Sequence, residues 1–405
     1  MRLELKKRID WYRARITKKI HEVLLFIDSK TTKSKGIWTF PVCYLNYQLF
    51  DNARPIFENL KNNPNITKVI LYRGKLRPKI KGEKVYVVKL KSLLGLWWLF
   101  RSGVVFVRHC VIQDIGIPIV NSRRLVVNLF HGIALKKIGT QVSSDSITGC
   151  DPFGAIISSS ISDRTTMLTS FKSAKPENTW ITGLPRNDLL FTSKNNLWPE
   201  AKGELQRITE RLSGKKLILF APTFRANWEN WNNEGGFYKF SRDELIELDA
   251  IAKGVDAVIG IRTHIREERS VLEAFDGLDV LVFNDIVEPA LVLRMTDVLI
   301  SDYSSIVVDF LLLRRPVLSF AFDYETYKEG KGFLYDLEEV FPTPLCFTFN
   351  ELKFGLLSAL KDIERNRVSD RYQQAIDLFH NFTDGHSTER VLKKIDATLE
   401  SSSVG

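Results

Sequence analysis

Two of the six histidines stand where a reacting group would be useful. His131 follows the apolar run Leu125–Phe130 and precedes Gly132, with Lys136, Lys137 and Gly139 close behind. An imidazole at a strand end, beside a glycine that lets a ligand approach the backbone, suits a general base. With an ordinary pKa of about 6.5 it is mostly neutral near pH 7 and can accept a proton. His264 closes the triplet Arg262–Thr263–His264 at the end of the run Ala257–Arg262. Guanidinium, hydroxyl and imidazole together suit a pyrophosphate or a departing phosphate. A third strand end reads Ala221–Pro222–Thr223–Phe224–Arg225. The fourth is Ser301–Asp302–Tyr303–Ser304–Ser305, set between the run Val298–Ile300 and a helical run from Ile306. A strand, a hydroxyl-rich turn and a helix start present free backbone N–H groups to an anion. Ser304 or Ser305 can also serve simply as the cap of that helix.

Thr223, Arg225, Arg262, His264, Ser304 and Ser305 therefore make a phosphate-binding inventory, with Asp302 as its one carboxylate. No Asp-x-Asp occurs anywhere in the chain, so the two-carboxylate metal clamp on a nucleotide diphosphate is missing. Charge stabilisation by Arg, His and a helix end, with no metal or other cofactor, is the expectation. Neither a P-loop nor a strand-linked Gly-x-Gly-x-x-Gly is present. The net charge of +10 admits an anionic partner, but no nucleic-acid module accompanies it, and no nucleic-acid partner is expected.

The elements that must hold these residues follow from the apolar pattern. Strands are expected at Ile37–Val42, Lys68–Tyr72, Lys84–Leu90, Val104–Arg108, Leu125–Phe130, Ala155–Ser158 and Thr179–Thr182. A second series comprises Lys216–Pro222, Ala257–Arg262, Val280–Phe283, Val298–Ser301 and Val317–Ala321. These runs show little alternation, as parallel strands buried on both faces require. Helices fit Arg242–Lys253, Glu288–Met295 and Ser305–Leu313, with one or two more in Arg371–Leu399. The polar stretch Thr192–Gly214 reads as a linker between halves. The organisation is α/β: an N-terminal segment (1–30), two facing Rossmann-like domains (31–200 and 201–370) with a cleft between them, and C-terminal helices (371–405) that cross back. Ligands in such sheets lie at the carboxyl ends of the strands.

Two stretches bear on a surface. The first twenty residues carry eight basic side chains against Glu4 and Asp10, interspersed with Leu, Ile, Trp and Tyr. They fit a basic amphipathic helix on anionic lipid, or a solvated helix packed on its own domain. The basic segment Arg73–Arg101 ends in Leu93–Leu94–Gly95–Leu96–Trp97–Trp98–Leu99–Phe100, which fits an interfacial contact or a buried core helix. No run is long enough to cross a bilayer, and Val23–Ile27 is too short for a targeting core. Cys43, Cys110, Cys150 and Cys346 are scattered, which suits reduced thiols in a cytosolic setting.

In order along the chain, FHGIALKKIG (Phe130–Gly139), TGLPRND (Thr182–Asp188), APTFR (Ala221–Arg225), RTH (Arg262–His264), TDVLISDYSSIVVDF (Thr296–Phe310), RRPVLSFAFDYETY (Arg314–Tyr327) and DGHSTERV (Asp384–Val391) resemble the motifs of the CDP-glycerol:poly(glycerophosphate) glycerophosphotransferase family. The resemblance implies a GT-B fold at the cytoplasmic face of the plasma membrane. It implies transfer of glycerol phosphate from CDP-glycerol, or of a related unit from a CDP-polyol such as CDP-ribitol, to a hydroxyl of a lipid-linked acceptor, with release of CMP. By it His131 is the base, while His264, Arg262, Thr223 and the Ser304–Ser305 turn hold the pyrophosphate. Arg225, Asp302 and Lys331 join the donor side, and Gly132, Lys136 and Arg186 are further candidates. Two positions depart from the pattern: Ala134 replaces a common proline, and Lys331–Gly332–Phe333 replaces Arg-Gly-Phe, which keeps the charge but loses the guanidinium fork. A GT-B glycosyltransferase using a nucleotide sugar, and an inactive membrane-docking scaffold, are the alternatives.

Overall fold

The computed structural model describes residues 2–42, 48–142, 153–223, 238–263, 272–365 and 368–401. The first lobe is built on a seven-stranded sheet of β1 (Ser34–Pro41), β2 (Thr67–Tyr72), β3 (Val85–Lys89), β4 (Ser102–Val107), β5 (Leu125–Asn128), β6 (Ala155–Ser158) and β7 (Thr179–Ile181), in the order β3-β2-β1-β4-β5-β6-β7. The second lobe holds β8 (Lys216–Phe220), β9 (Ala257–Ile261), β10 (Leu281–Val282), β11 (Val298–Ser301), β12 (Val317–Phe320) and β13 (Leu345–Cys346), in the order β10-β9-β8-β11-β12-β13. Every pairing is parallel, so the Val- and Ile-rich runs are buried on both faces, and β4, β5, β6, β11 and β12 are buried throughout.

Both sheets reverse direction of growth once. In the first the chain leaves β1 for β2 and β3 on one side, then returns to place β4 on the other. In the second β9 and β10 lie to one side of β8, and β11 to the other. The carboxyl ends of β1/β4 and β8/β11 are therefore the two switch-point crevices, where open α/β sheets bind ligands.

The stretch expected to be a linker, Thr192–Gly214, runs between β7 and β8 and is largely helical. Pro199–Leu212 is a helix that buries Ala201, Glu204, Leu205, Ile208 and Leu212 against the core. Its apolar residues recur at helical spacing, and the dense charge of its outer face hides that period in the composition. Elements absent from the expected list include β13, only two residues long, and the helices Ala53–Leu60, Ile161–Ser170, Tyr324–Lys331 and Phe349–Arg365. The helix Leu93–Arg101, capped by Ser92, divides its apolar residues: Leu99 and Phe100 are buried, while Leu93, Leu94 and Trp97 are exposed.

The N-terminal segment is one helix, Arg2–Lys30, whose last turn is pinned to the first lobe. Asp28 is fully buried, bonded to Lys33 and Arg124 and accepting from the Val120 N–H. The C-terminal helices touch elements of both lobes. Asp370–Phe379 packs on helices of both lobes, and the Asn381 N–H donates to the Ser159 carbonyl at 3.0 Å. Asp188 accepts from the Ser387 and Thr388 N–H groups, at 2.9 and 2.8 Å, at the start of the last helix, Ser387–Ser401.

Candidate active site

His131 sits just beyond β5 on a turn whose backbone is fixed from several directions. Phe130 has φ +48°, a left-handed conformation that costs a non-glycine residue roughly 1–2 kcal/mol. Asn128 Oδ1 accepts from the Phe130 N–H at 2.9 Å, and Asn52 Nδ2 donates to the Leu129 carbonyl at 2.9 Å. Arg186 Nη1 donates to the carbonyl of His131 itself at 2.8 Å. The imidazole lies against Phe130 and His109, with ring centroids 4.3 and 4.6 Å away, and its buried Nδ1 has no hydrogen-bond partner among the described residues. Burial, then the neighbouring His109 and Arg108, push its pKa down to about 3 against the pull of Asp51. The free ring is thus neutral at any pH above about 4 and available to take a proton.

Beside it, Asp51 is buried between Arg108 and Arg186, at 3.0 and 3.4 Å. Burial lifts that carboxyl, but the two guanidinium groups more than offset it, and its pKa falls below the ordinary carboxylate range. Asp51 also donates its backbone N–H to Glu288 Oε2 in the second lobe at 3.3 Å. Burial, with Asp51 and Glu204 nearby, pushes Glu288 up to about 8, which leaves it largely protonated at pH 7.

In the second lobe Asp302 has a bracing position. Its Oδ1 accepts from the Thr223 N–H (2.8 Å), the Thr223 hydroxyl (2.6 Å) and the Tyr303 N–H (2.7 Å). Asp302 and Thr223 are both buried, and the bonds tie the end of β8 to the end of β11 across the switch point. The Thr223 hydroxyl is accordingly turned toward a carboxylate. Arg262 is also engaged: Nη1 donates to the carbonyls of Phe283 (2.7 Å) and Ile286 (2.9 Å), and burial lowers its pKa to about 10, still charged at pH 7. The helix Ile306–Leu311 starts without a side-chain cap from Ser305, and Ser304 Oγ accepts only a long 3.4 Å bond from the Ile306 N–H.

The lobes meet at these residues. Gly132 (φ +150°) is so close to the second lobe that a Cβ there would lie 2.8 Å from Ser305 Oγ and 3.2 Å from Arg186 Nη2. The glycine is required by contact as well as by conformation. Arg186 Nη2 reaches Asp309 Oδ2, on the helix that follows Ser305, at 2.5 Å. Farther along the same loop Lys136 pairs with Phe333 as an antiparallel bridge, the Lys137 N–H donates to the Gly332 carbonyl at 3.2 Å, and Lys136 Nζ donates to the Tyr327 hydroxyl at 3.2 Å. Lys331, at the start of this segment, is exposed.

Of the residues singled out by sequence, His131, Gly132, Arg186, Ser304 and Ser305 come together at the cleft. Lys136 bridges the lobes along the same loop. Thr223 and Asp302 brace the second lobe's crevice, and Arg262 ties β9 to the loop after β10. His264 and Arg225 lie outside the described residues. Sequence reasoning missed Asp51, Asn52, His109, Asp114, Glu288 and Asp309. For His109 the signal was available, because it follows β4 just as His131 follows β5.

Residues 30–397 match the family described as CDP-Glycerol:Poly(glycerophosphate) glycerophosphotransferase. A teichoic acid poly(glycerol phosphate) polymerase of Bacillus spizizenii is 28% identical over 381 residues, which cover 87% of this chain and 90% of that protein. One of Staphylococcus epidermidis is 33% identical over 205 residues, 49% of this chain. The chain spans only 26% to 41% of the length of that protein and of two related ribitol-phosphate polymerases. A solved structure of the wall teichoic acid polymerase TagF, a histidine-to-asparagine variant soaked with CDPG, superposes with a TM-score of 0.75 at 20% identity, covering 98% of this chain and 97% of that one. The fold is thus the GT-B-like one expected, and with nine-tenths of its length matched the chain belongs to the CDP-glycerol:poly(glycerophosphate) glycerophosphotransferase family.

Proposed function

We propose that the chain transfers glycerol phosphate, or a related polyol phosphate, from a CDP-polyol to a hydroxyl of a lipid-linked acceptor. The acceptor oxygen forms a bond to the phosphorus that carries the polyol. The bond from that phosphorus to the bridging oxygen breaks, and CMP leaves with the electron pair. The acceptor's proton goes to His131. One observation carries this reading: the His131–Gly132 turn of the first lobe is in contact with the Ser304–Ser305 turn of the second. In this reading the neutral imidazole takes the acceptor's proton while the hydroxyl and backbone N–H donors of the facing turn hold the phosphoryl group, as attack on it requires. In this reading Arg225, Arg262, His264 and Lys331 supply positive charge around the pyrophosphate, and no metal is needed.

The test is CMP release with CDP-glycerol, CDP-ribitol and a set of nucleotide sugars, each with a glycerol-phosphate-primed lipid acceptor and excess EDTA. Release with a CDP-polyol alone, undiminished by EDTA, is the expected result. Turnover of a nucleotide sugar would replace the reading with a glycosyl transfer, and loss in EDTA would remove its metal-free part.

The acceptor reading includes attachment to an anionic membrane surface. Tyr12, Ile16, Ile20, Val23 and Phe26 of the first helix are exposed, as are Leu93, Leu94 and Trp97. Leu24 of the one helix, and Leu96 and Trp98 of the other, pack against the same core cluster of the first lobe. Basic side chains flank both patches, with the Arg101 guanidinium 5.1 Å from the Trp97 ring. No helix among the described residues is long and apolar enough to cross a membrane. The protein is expected to sediment with vesicles containing anionic lipid and to be released by salt. Equal binding to neutral vesicles would eliminate the electrostatic contribution.

A further inference from the structure

His109 lies at the carboxyl end of β4, in the first lobe's switch-point crevice, and its ring packs against His131 in a tilted arrangement, with centroids 4.6 Å apart and planes 34° from parallel. It is held there more firmly than a loop residue needs to be. Asp114 Oδ2 accepts from the backbone N–H groups of Arg108 (2.6 Å) and His109 (2.7 Å), and its Oδ1 lies 3.1 Å from His109 Nδ1. Burial lifts the Asp114 pKa, but the hydrogen bonds from His109 and Arg108 more than offset it and hold the group below its ordinary value, so it is a carboxylate. A carboxylate can only accept, so His109 Nδ1 carries its proton and Nε2 is the free nitrogen. Asn128, whose side-chain oxygen fixes the Phe130 turn, also donates to the His109 carbonyl at 2.9 Å. The segment bearing His109 and the turn bearing His131 are therefore tied to one side chain.

Resting on the reading of His131 as the base, we propose that His109, fixed by Asp114, is a positioning residue for it: the packed ring holds the plane of the reacting imidazole. The chemistry follows from what surrounds His131. Its buried Nδ1 has no hydrogen-bond partner among the described residues, so none of their carboxylates orients it as one does a catalytic histidine in many hydrolases. Ring faces do that work here, Phe130 and His109. The charged groups facing His131 are His109 and Arg108 from the end of β4, Asp51 before the helix Ala53–Leu60, and Arg186.

The test uses CMP release from CDP-glycerol, with H109A, H109F and H131A compared in the full chain. H109A removes the stacking face, and its kcat is expected to fall about 10- to 100-fold with donor KM within about twofold, as loss of alignment dictates. H109F restores an aromatic face at the same place and is expected to recover most of kcat. A merely structural role would lower folding stability without splitting kcat from KM and would not be rescued by a ring alone. Wild-type kcat in H109A, or a kcat in H109F as low as in H109A, overturns the proposal, and if H109A does not fold, H109F decides alone, a kcat more than about tenfold below wild type overturning it. Turnover that survives H131A removes the base and this role with it. An inactive H131A beside unchanged His109 variants removes only the role of His109.

Discussion

Replacing His131 by alanine is expected to lower the rate of CMP release by about 10²–10⁴-fold, the range for loss of a positioned general base. Donor binding should survive, because none of the groups proposed to bind the pyrophosphate is altered; equilibrium dialysis with CDP-glycerol measures it. The pH dependence gives a sharper test. In the free enzyme, burial, His109 and Arg108 hold the His131 pKa at about 3, so kcat/KM should show no acid limb from this ring above about pH 4. A bound diphosphate brings negative charge beside the imidazole and favours its protonated form. The kcat profile, which reports the bound complex, should therefore acquire an acid limb at higher pH than the kcat/KM profile. Coincident limbs, or an active H131A, would show that the acceptor proton goes elsewhere.

The same shift has a consequence for stability. His131 and His380 are both buried with depressed pKa values, about 3 and about 4, the latter ring bonded through Nε2 to the Val308 carbonyl at 2.8 Å. Between these values and about 6.5 the unfolded chain binds more protons than the native one. Their contribution is present above about pH 6.5 and lost as pH falls toward the folded values. Glu288 has the opposite sign: its native pKa of about 8 lies above the ordinary 4.5, so its contribution is complete below 4.5 and lost as pH rises through 8.

How far the sequence carried this picture differs between the scaffold and the site. The strands were legible because a parallel sheet covered on both faces leaves uninterrupted apolar runs, and β4, β5 and β11 are such runs. The helix Pro199–Leu212 was not, because its charged outer face dominates the composition while its core contacts recur only every three or four residues. At the site, asking which polar residues end a strand found His131, Asp302, Ser304 and Ser305. It did not find Asp51 or Asp309, whose partners lie 135 and 123 residues away in the chain. Asp309 sits in an apolar helical run and reads as a residue on its polar face. Nor did the sequence show that Asp302 serves Thr223, or that Arg262 serves two carbonyls, since a donor's partner is set by the tertiary fold.

Arg186 shows most clearly what only the tertiary fold provides, and removing its partner Asp309 is expected to have the largest effect on stability. The pair is buried, with the two side chains 13% and 10% exposed, and it joins the first lobe to the helix that follows Ser305. Burial disfavours the Arg186 charge, but Asp309 and Asp51 outweigh it and its pKa is raised. Asp309→Ala leaves that cation short of its nearest carboxylate in a desolvated setting, at a cost of about 3–5 kcal/mol. Arg186→Ala takes the cation from the buried Asp309, and one of two from Asp51, and should cost a similar amount. It also frees the His131 carbonyl that Arg186 Nη1 holds, so kcat should fall in R186A even at temperatures where the variant is folded. The double variant D309L/R186M removes both charges and fills their space, and its stability should exceed that of either single alanine variant. Urea unfolding of the four proteins measures this. If D309L/R186M proves no more stable than the single alanine variants, the ion pair is not what holds the His131 turn against the second lobe, and the contact at Gly132 must rest on packing alone.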